Sequence, residues 1–247
     1  MSKWFEDDEF WLEFRDILFH EERMKKTSYQ VDRFIDILDL DKEHKILDFV
    51  CGVGRHTLEF ASRGYDVTGV DLSSYYIEEA EQKARHKNID AEFIEADMRK
   101  FVRQDTYDAV INFFTSFGYF EDEADNMRVL KNVYSSLKPG GRFLLDVMGK
   151  EVLEKIYTEE DWIRIEEGYF VEKRRFKDRG KILESDWKLM KDDGEIKEHK
   201  FIYRVYSETE IKRLMEKAGF RDLKTYGDLE LSEYDEEASR LIILAKK

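Results

Sequence analysis

Thirteen residues constrain the fold of this chain more than any others: Lys45 to Thr57, KILDFVCGVGRHT. Ile46 to Val50 is a short apolar, β-leaning run, Gly52 and Gly54 follow at once, and HTLEFASRG then reads as helix. Strand, glycine turn and helix in that order let backbone approach a ligand at the carboxyl edge of a parallel sheet. A second run, Tyr65 to Val70, ends in Asp71, seventeen positions beyond Gly54. A carboxylate at the tip of the second strand is placed to accept hydrogen bonds from ribose hydroxyls. Together the two features point to a nucleoside-containing cofactor.

The same alternation continues along the chain. Strands are expected near 45–50, 65–70, 91–95, 107–113 and 142–147, with helices near 55–63, 74–86 and 123–137, a parallel sheet covered on both faces. Pro139-Gly140-Gly141 reads as the turn that ends the last of these helices. Upstream, Trp11, Phe14 and Leu18, then Val31, Phe34, Ile35 and Leu38, form stripes at helical spacing and predict two helices. Residues 160–206 change period: YFVEKRRF, ILESDWKLM and EIKEHKFIYRVY alternate apolar with polar and are joined by Asp178-Arg-Gly180 and Asp192-Asp-Gly194 turns. A helix over 208–218, capped by Ser207, a strand near 222–226 and a last strand from Arg240 to Ala245 complete the reading.

Residues 45–147 resemble the core of the class I S-adenosylmethionine-dependent methyltransferases. Asp48-Phe-Val-Cys-Gly52-Val-Gly54 is similar to that family's first motif and Gly69-Val-Asp71-Leu-Ser to its second. Glu95-Ala-Asp97-Met98 resembles the third, Tyr107-Asp-Ala-Val-Ile-Asn112 the fourth, and Leu137-Lys-Pro-Gly-Gly141 the turn before the fifth strand. One departure is Val50, where many members carry the first glycine. The resemblance implies an α/β fold: a Rossmann-like seven-stranded sheet with helices on both faces, a reversed edge hairpin, and an inserted antiparallel β-sheet. It divides the chain into an N-terminal helical arm (1–40), a cofactor-binding core (41–150), an insertion (151–206) and a C-terminal completion of the sheet (207–247). The insertion leaves the fifth strand on the ligand side, so it is expected either to roof the site or to form a homodimer contact.

The resemblance also implies S-adenosylmethionine as cofactor and assigns its contacts. Gly52 and Gly54 would admit its amino-acid portion, Asp71 with Leu72 would take the ribose, Asp97 with Met98 the adenine, and Asn112 would lie near the methionine moiety. Asp48 belongs to the first motif and has a second reading as a cap for nearby helix amides. Asp97 likewise has a second reading as a solvent-facing loop acid. From the arm, Arg23 and Tyr29 are candidates for the cofactor's charged end. No metal is expected, and Cys51 and His56 read as turn and helix-start residues.

Composition narrows the acceptor. A net charge of −14 repels polyanions, and the Phe113–Phe120 stretch lacks the Asn-Pro-Pro-aromatic signature of nucleic-acid amino methylation, so a small-molecule acceptor is expected. No run is apolar enough to span a bilayer, the first ten residues do not read as a signal peptide, and a single Cys fits a reducing compartment, so a cytoplasmic protein is expected. The rival classes are an NAD-dependent oxidoreductase, where Thr57 stands at the position wanting Gly or Ala, and a non-catalytic cofactor-binding protein. For acceptor chemistry, topology brings Tyr119, Tyr226, Asp228 and Arg240 towards one sheet edge. Tyr119 and Asp228 are the catalytic candidates and all four are candidates for substrate binding, with an Asp228–Arg240 structural pair as the alternative.

Overall fold

Strand β1 (Lys45–Phe49) is hydrogen-bonded on one side to β2 (Asp66–Asp71) and on the other to β4 (Tyr107–Asn112), both parallel. That is the point where the order of a doubly wound sheet reverses, and the crevice it opens lies beyond the strands' carboxyl ends. The computed structural model describes residues 3–247. With β3 (Glu92–Glu95), β5 (Leu137–Val147), β10 (Arg221–Tyr226) and β11 (Leu241–Lys246), the sheet has the order β10-β11-β5-β4-β1-β2-β3. Only β11 runs against its neighbours, pairing antiparallel with both β5 and β10, which is the expected reversed edge.

Side-chain alternation along the strands decides which layer each residue feeds. Leu47, Val110, Phe143, Leu145 and Ile243 face one core with α7 (Glu123–Ser136) and α9 (Glu208–Ala218). Ile46, Ala109, Ile111, Leu144 and Ile242 face the other, with α4 (Thr27–Leu38) and α5 (Arg55–Ser62). Helix α6 (Ser74–Lys87) links β2 to β3.

Two local expectations need correction. Strand β5 starts at Leu137, and its ladder with β4 jumps from Tyr107↔Leu137 to Ala109↔Arg142. Pro139-Gly140-Gly141 is therefore a bulge inside the strand, with Gly140 at φ 81°, and not a turn before it. The first N-terminal stripe is not one helix but two short ones, α1 (Asp8–Glu13) and α2 (Arg15–Leu18), which meet at Phe14, and a third, α3 (Glu21–Lys25), follows. This segment has two surfaces to satisfy. Phe10 and Phe14 pack on the inserted sheet, while the Trp11 carbonyl accepts from Tyr76 of α6 (2.7 Å) and Arg15 pairs with Glu79.

The insertion begins with α8 (Lys150–Ile156) and forms a four-stranded antiparallel sheet: β6 (Glu160–Ile165), β7 (Gly168–Lys177), β8 (Ile182–Lys191) and β9 (Ile196–Arg204). The apolar alternation marked β7 to β9, whereas α8 and β6 carried too little pattern to be read. Registers such as Phe170↔Leu189, Glu172↔Trp187, Ser185↔Phe201 and Leu183↔Tyr203 put these side chains on one face. That face meets α1 and α2 in an aromatic cluster of Phe10, Phe14, Phe170, Trp187 and Phe201.

Candidate functional site

At the carboxyl ends of β1, β2 and β4 a single cavity of about 1290 Å³ opens. Its floor is the glycine turn and the strand tips, one wall is the N-terminal segment, and its roof is the aromatic face of the inserted sheet. Phe170, Glu172, Arg174, Trp187 and Tyr203 of that sheet line the same space as Gly52, Asp71 and Asp97. Pockets for one small ligand run to about 300–1,000 Å³, so there is room for two molecules side by side.

The floor is built from backbone in the left-handed region. Val50 (φ 71°) and Cys51 both donate their amides to the Val70 carbonyl, at 2.8 and 2.9 Å. The Gly52 amide donates to Asp71 Oδ2 at 2.8 Å, and the Ser73 amide to Asp71 Oδ1 at 3.0 Å. Each oxygen retains lone-pair capacity for a hydroxyl donor, and burial pushes the carboxyl up from its ordinary range. Asp48, buried beneath the turn, accepts from the Thr57 hydroxyl (2.7 Å) and amide (3.2 Å), so its capping reading holds while it also lines the cavity. Burial raises its pKa to about 6, with the Thr57 bonds and Arg55 opposing.

Leu72, Asp97 and Met98 lie on the same wall. Asp97 is not a solvent-facing loop acid: both its oxygens accept from Arg99, at 2.5–3.0 Å. Burial works to raise this carboxyl, and the Arg99 bonds overcome it and hold it below its ordinary value. Two expected cofactor contacts stand elsewhere. Gly54 does not line the cavity; a Cβ there would meet Ala80 at 2.7 Å and Phe93 at 2.8 Å, so its role is close packing of α5 on α6 and β3. Asn112 is buried behind the floor, where its Nδ2 donates to the Phe49 carbonyl at 3.0 Å and ties β4 to β1.

The acceptor candidates also divide. Tyr119 lines the cavity against Trp4 (4.8 Å between ring centroids), its phenol pushed up by burial, and Arg240 lines it too. Tyr226 packs with the α4-side core instead, outside the cavity. Asp228 points into its own loop: Oδ1 accepts from the Glu230 and Ser232 amides (2.9 and 3.2 Å) and Oδ2 from the Ser232 hydroxyl (2.9 Å). That loop turns away because it docks on α4, where Arg33 donates to the Leu229 carbonyl and Tyr29 bonds to Glu230. Asp228 does not pair with Arg240 either; the partner of Arg240 is Asp146.

Sequence reasoning missed Arg55, Asp146 and Phe114. Arg55 opens α5 directly after the glycine turn, which was the available signal. It is 7% exposed, donates to Thr27 and Gln30, and leaves Nη2 without a partner in the protein. His56 beside it is held neutral, burial and then Arg55 pushing its pKa well down. Arg23 lies on the arm side of the cavity, with its guanidinium 3.8 Å from the Phe114 ring centroid.

Known proteins share both the sequence pattern and this architecture. A family model described as a methyltransferase domain matches residues 46–141. A glycine/sarcosine N-methyltransferase of Aphanothece halophytica is 26% identical over 233 residues, covering 90% of this chain and 83% of that protein. A crystal structure of an S-adenosylmethionine-dependent methyltransferase from Clostridium acetobutylicum superposes with a TM-score of 0.80 at 19% identity, covering 97% of this chain and 98% of that one. CalS10, an amino pentose methyltransferase from Micromonospora echinaspora with S-adenosylmethionine bound, gives a TM-score of 0.65 at 21% identity over 91% of each chain.

Proposed function

The chain belongs to the class I S-adenosylmethionine-dependent methyltransferases, and we propose that it methylates the nitrogen of a small molecule held between the glycine turn and the inserted sheet. The observation that carries this reading is the shared cavity: strand-tip carboxylates and the glycine turn on one side, an aromatic roof on the other, within one volume of about 1290 Å³.

The residues present fit the cofactor. Asp71 has acceptor capacity left for two ribose hydroxyls, and Asp48 sits where an ammonium would meet a carboxylate. Arg55 keeps an unpaired, buried Nη2 on the same wall, suited to the carboxylate of an amino-acid moiety. Leu72 and Met98 offer apolar surface for a purine, and the Asp97–Arg99 pair offers polar edges beside it. When bound, the cofactor supplies an electrophilic methyl group on a sulfonium.

The protein's contribution is placement and exclusion of water. Holding the acceptor in line with the methyl is worth up to about 7–11 kcal/mol of the barrier. Trp4, Trp11 and Phe19 from the arm close one side, and Trp187 and Phe201 close the top. The indole N–H groups of Trp4 and Trp187 are buried with no partner in the protein, which makes them donors available to a polar acceptor. An amine suits such a site because its lone pair attacks without a strong base. The acids deep in this wall are committed elsewhere: Glu172 to Arg174, Asp97 to Arg99 and Glu13 to Lys197 and His199. The name of the Aphanothece halophytica relative, a glycine/sarcosine N-methyltransferase, supports nitrogen as the methylated atom.

The test is turnover of S-adenosylmethionine to S-adenosylhomocysteine with a panel of small amines and matched alcohols. Methylated amines identified by mass are expected; methylation confined to alcohols or thiols would overturn the choice of nitrogen.

A further inference from the structure

Three guanidinium groups, Arg23, Arg55 and Arg240, converge on the cavity wall, close enough that the charges of Arg55 and Arg240 both act on Arg23. Arg240 alone has a carboxylate partner: its Nε and Nη2 bind Asp146 Oδ1 and Oδ2 at 2.7 and 2.6 Å. Among the described residues, no carboxylate oxygen lies within 4 Å of Arg23 or Arg55. Arg23 donates to the Leu18 carbonyl and Arg55 to Thr27 and Gln30, all of them uncharged acceptors. Burial lowers both arginines to about 10, and at neutral pH both stay charged.

The cofactor does not cancel this surplus. Its amino-acid end is a zwitterion of net zero charge, and its sulfonium adds a further positive charge. Within the cluster itself, three guanidiniums face two carboxylates, Asp146 and, when ionised, Asp48, and neither of these acts on Arg23. A buried excess of one sign is costly unless something of the opposite sign is brought in.

The backbone nearby is shaped to present these groups. Phe114 (φ 69°) and Thr115 (φ 56°) are consecutive non-glycine residues in the left-handed region, a conformation that persists only where its surroundings impose it. Asp146 imposes it here: the Phe114 amide donates to Asp146 Oδ2 at 2.7 Å and the Thr115 amide to its carbonyl at 3.1 Å. The result is a Phe114 ring that is 37% exposed, with Arg23 at 3.8 Å and Arg240 at 5.9 Å from its centroid. The Nη1 edge of Arg240 meets only Met148 Sδ, at 4.0 Å, and has no oxygen acceptor.

We propose that the methyl acceptor carries a carboxylate beside its nucleophilic nitrogen, and that the Nη1 edge of Arg240, with Arg23 across the Phe114 ring, receives it. The proposal rests on the reading of this cavity as the methyl-transfer site and adds the acceptor's charge to it. A fixed carboxylate would set the distance of the neighbouring nitrogen from the cofactor methyl, which is how a site without a catalytic base gains selectivity.

The test uses the full chain saturated with S-adenosylhomocysteine and titrated with matched pairs, glycine against glycinamide and β-alanine against β-alaninamide. Binding is followed through the fluorescence of Trp4, Trp11 and Trp187, which line the cavity. Each acid is expected to bind at least tenfold more tightly than its amide. In Arg240→Gln that preference should disappear while affinity for S-adenosylhomocysteine stays within about threefold. Should Arg240→Gln fail to fold with Asp146 left unpaired, the double variant Asp146→Asn/Arg240→Gln removes both charges and carries the same expectation. Acids and amides binding alike, acids not binding, or a preference that survives without Arg240 would each overturn the proposal. A wild-type protein that did not bind S-adenosylhomocysteine would instead overturn the reading of the cavity itself.

Discussion

Arg240 and Asp146 are joined by two parallel hydrogen bonds, Nε to Oδ1 at 2.7 Å and Nη2 to Oδ2 at 2.6 Å, across the β11–β5 pair of the sheet. The Asp146 side chain is 1% exposed, and the same carboxylate accepts the Phe114 amide. One residue thus fixes a cavity-lining arginine and the loop that follows β4. Removing one partner of a buried, hydrogen-bonded pair costs about 3–5 kcal/mol. Asp146→Asn should therefore lower the melting temperature by roughly 6–20 °C, taking about 2–4 °C per kcal/mol for a chain of this size. In a double-mutant cycle with Arg240→Gln, the combined loss should be smaller than the sum of the two single losses. Simple additivity would show that the pair is not energetically coupled.

Asp71→Asn tests the ribose contact. The amide has one oxygen where the carboxylate had two, so it cannot accept from both the Gly52 and Ser73 amides and still serve hydroxyls. Affinity for S-adenosylhomocysteine should fall at least tenfold by calorimetry, in line with about 1.5–3 kcal/mol for charge-assisted bonds. Because those amides are left under-satisfied, the ligand-free protein should also melt several degrees lower. Unchanged affinity would remove Asp71 from the cofactor site.

Asp48 gives the site a pH dependence whose sign follows from its burial. Its folded pKa of about 6 lies above the ordinary value of 3.8, so between those limits the folded state holds a proton that the unfolded chain releases. The Asp48 contribution to stability therefore falls as pH rises through that window and is constant above it, by about 3 kcal/mol at most. Asp48→Asn has no such proton, so its melting temperature should gain on the wild type by several degrees between pH 4 and 7. Affinity for the cofactor's ammonium should run the other way, weakening in the wild type as pH drops below about 6 and staying level in the variant. Parallel profiles for the two proteins would contradict the assignment.

The sheet was legible because its signal is local and repeated: five apolar runs, each followed by a turn or a helix with its own cap. Val50 shows where that signal stops. A β-branched residue at φ 71° costs roughly 1–2 kcal/mol, and only the paired amides of Val50 and Cys51 on the Val70 carbonyl make the turn recognisable as the glycine-type one. Asp71 and Asp97 stood out as acids at strand ends, whereas Arg55 and Asp146 look like ordinary charged residues until the fold buries them. Their significance lies in what they lack or share, an unpaired Nη2 and a carboxylate serving two loops, and neither property has a sequence period. The inserted sheet was expected either over the site or in a dimer contact, because a connection leaving β5 must begin on the ligand side, and its residues line the cavity. Its first strand was missed because Glu160–Ile165 is an edge strand with three consecutive exposed residues, Trp162, Ile163 and Arg164.

Asp228 is where topology misled, and it gives the last prediction. Strand β10 does deliver the chain to the ligand side, but position along a strand says nothing about which way the following loop folds. Here the Gly227 carbonyl accepts from the Ser239 and Arg240 amides and the Gly227 amide donates to the Ser232 carbonyl, so the loop closes on itself. Asp228 is spent holding the turn at 228–232 and stands outside the cavity. Asp228→Asn keeps one acceptor oxygen for three donors, which should cost about 1 kcal/mol, or roughly 2–4 °C in melting temperature. Methyl transfer, measured as S-adenosylhomocysteine release at saturating acceptor and 25 °C, should stay within twofold of the wild type. A tenfold fall with the melting temperature unchanged would return Asp228 to the catalytic site and require the 227–239 loop to rearrange when the acceptor binds.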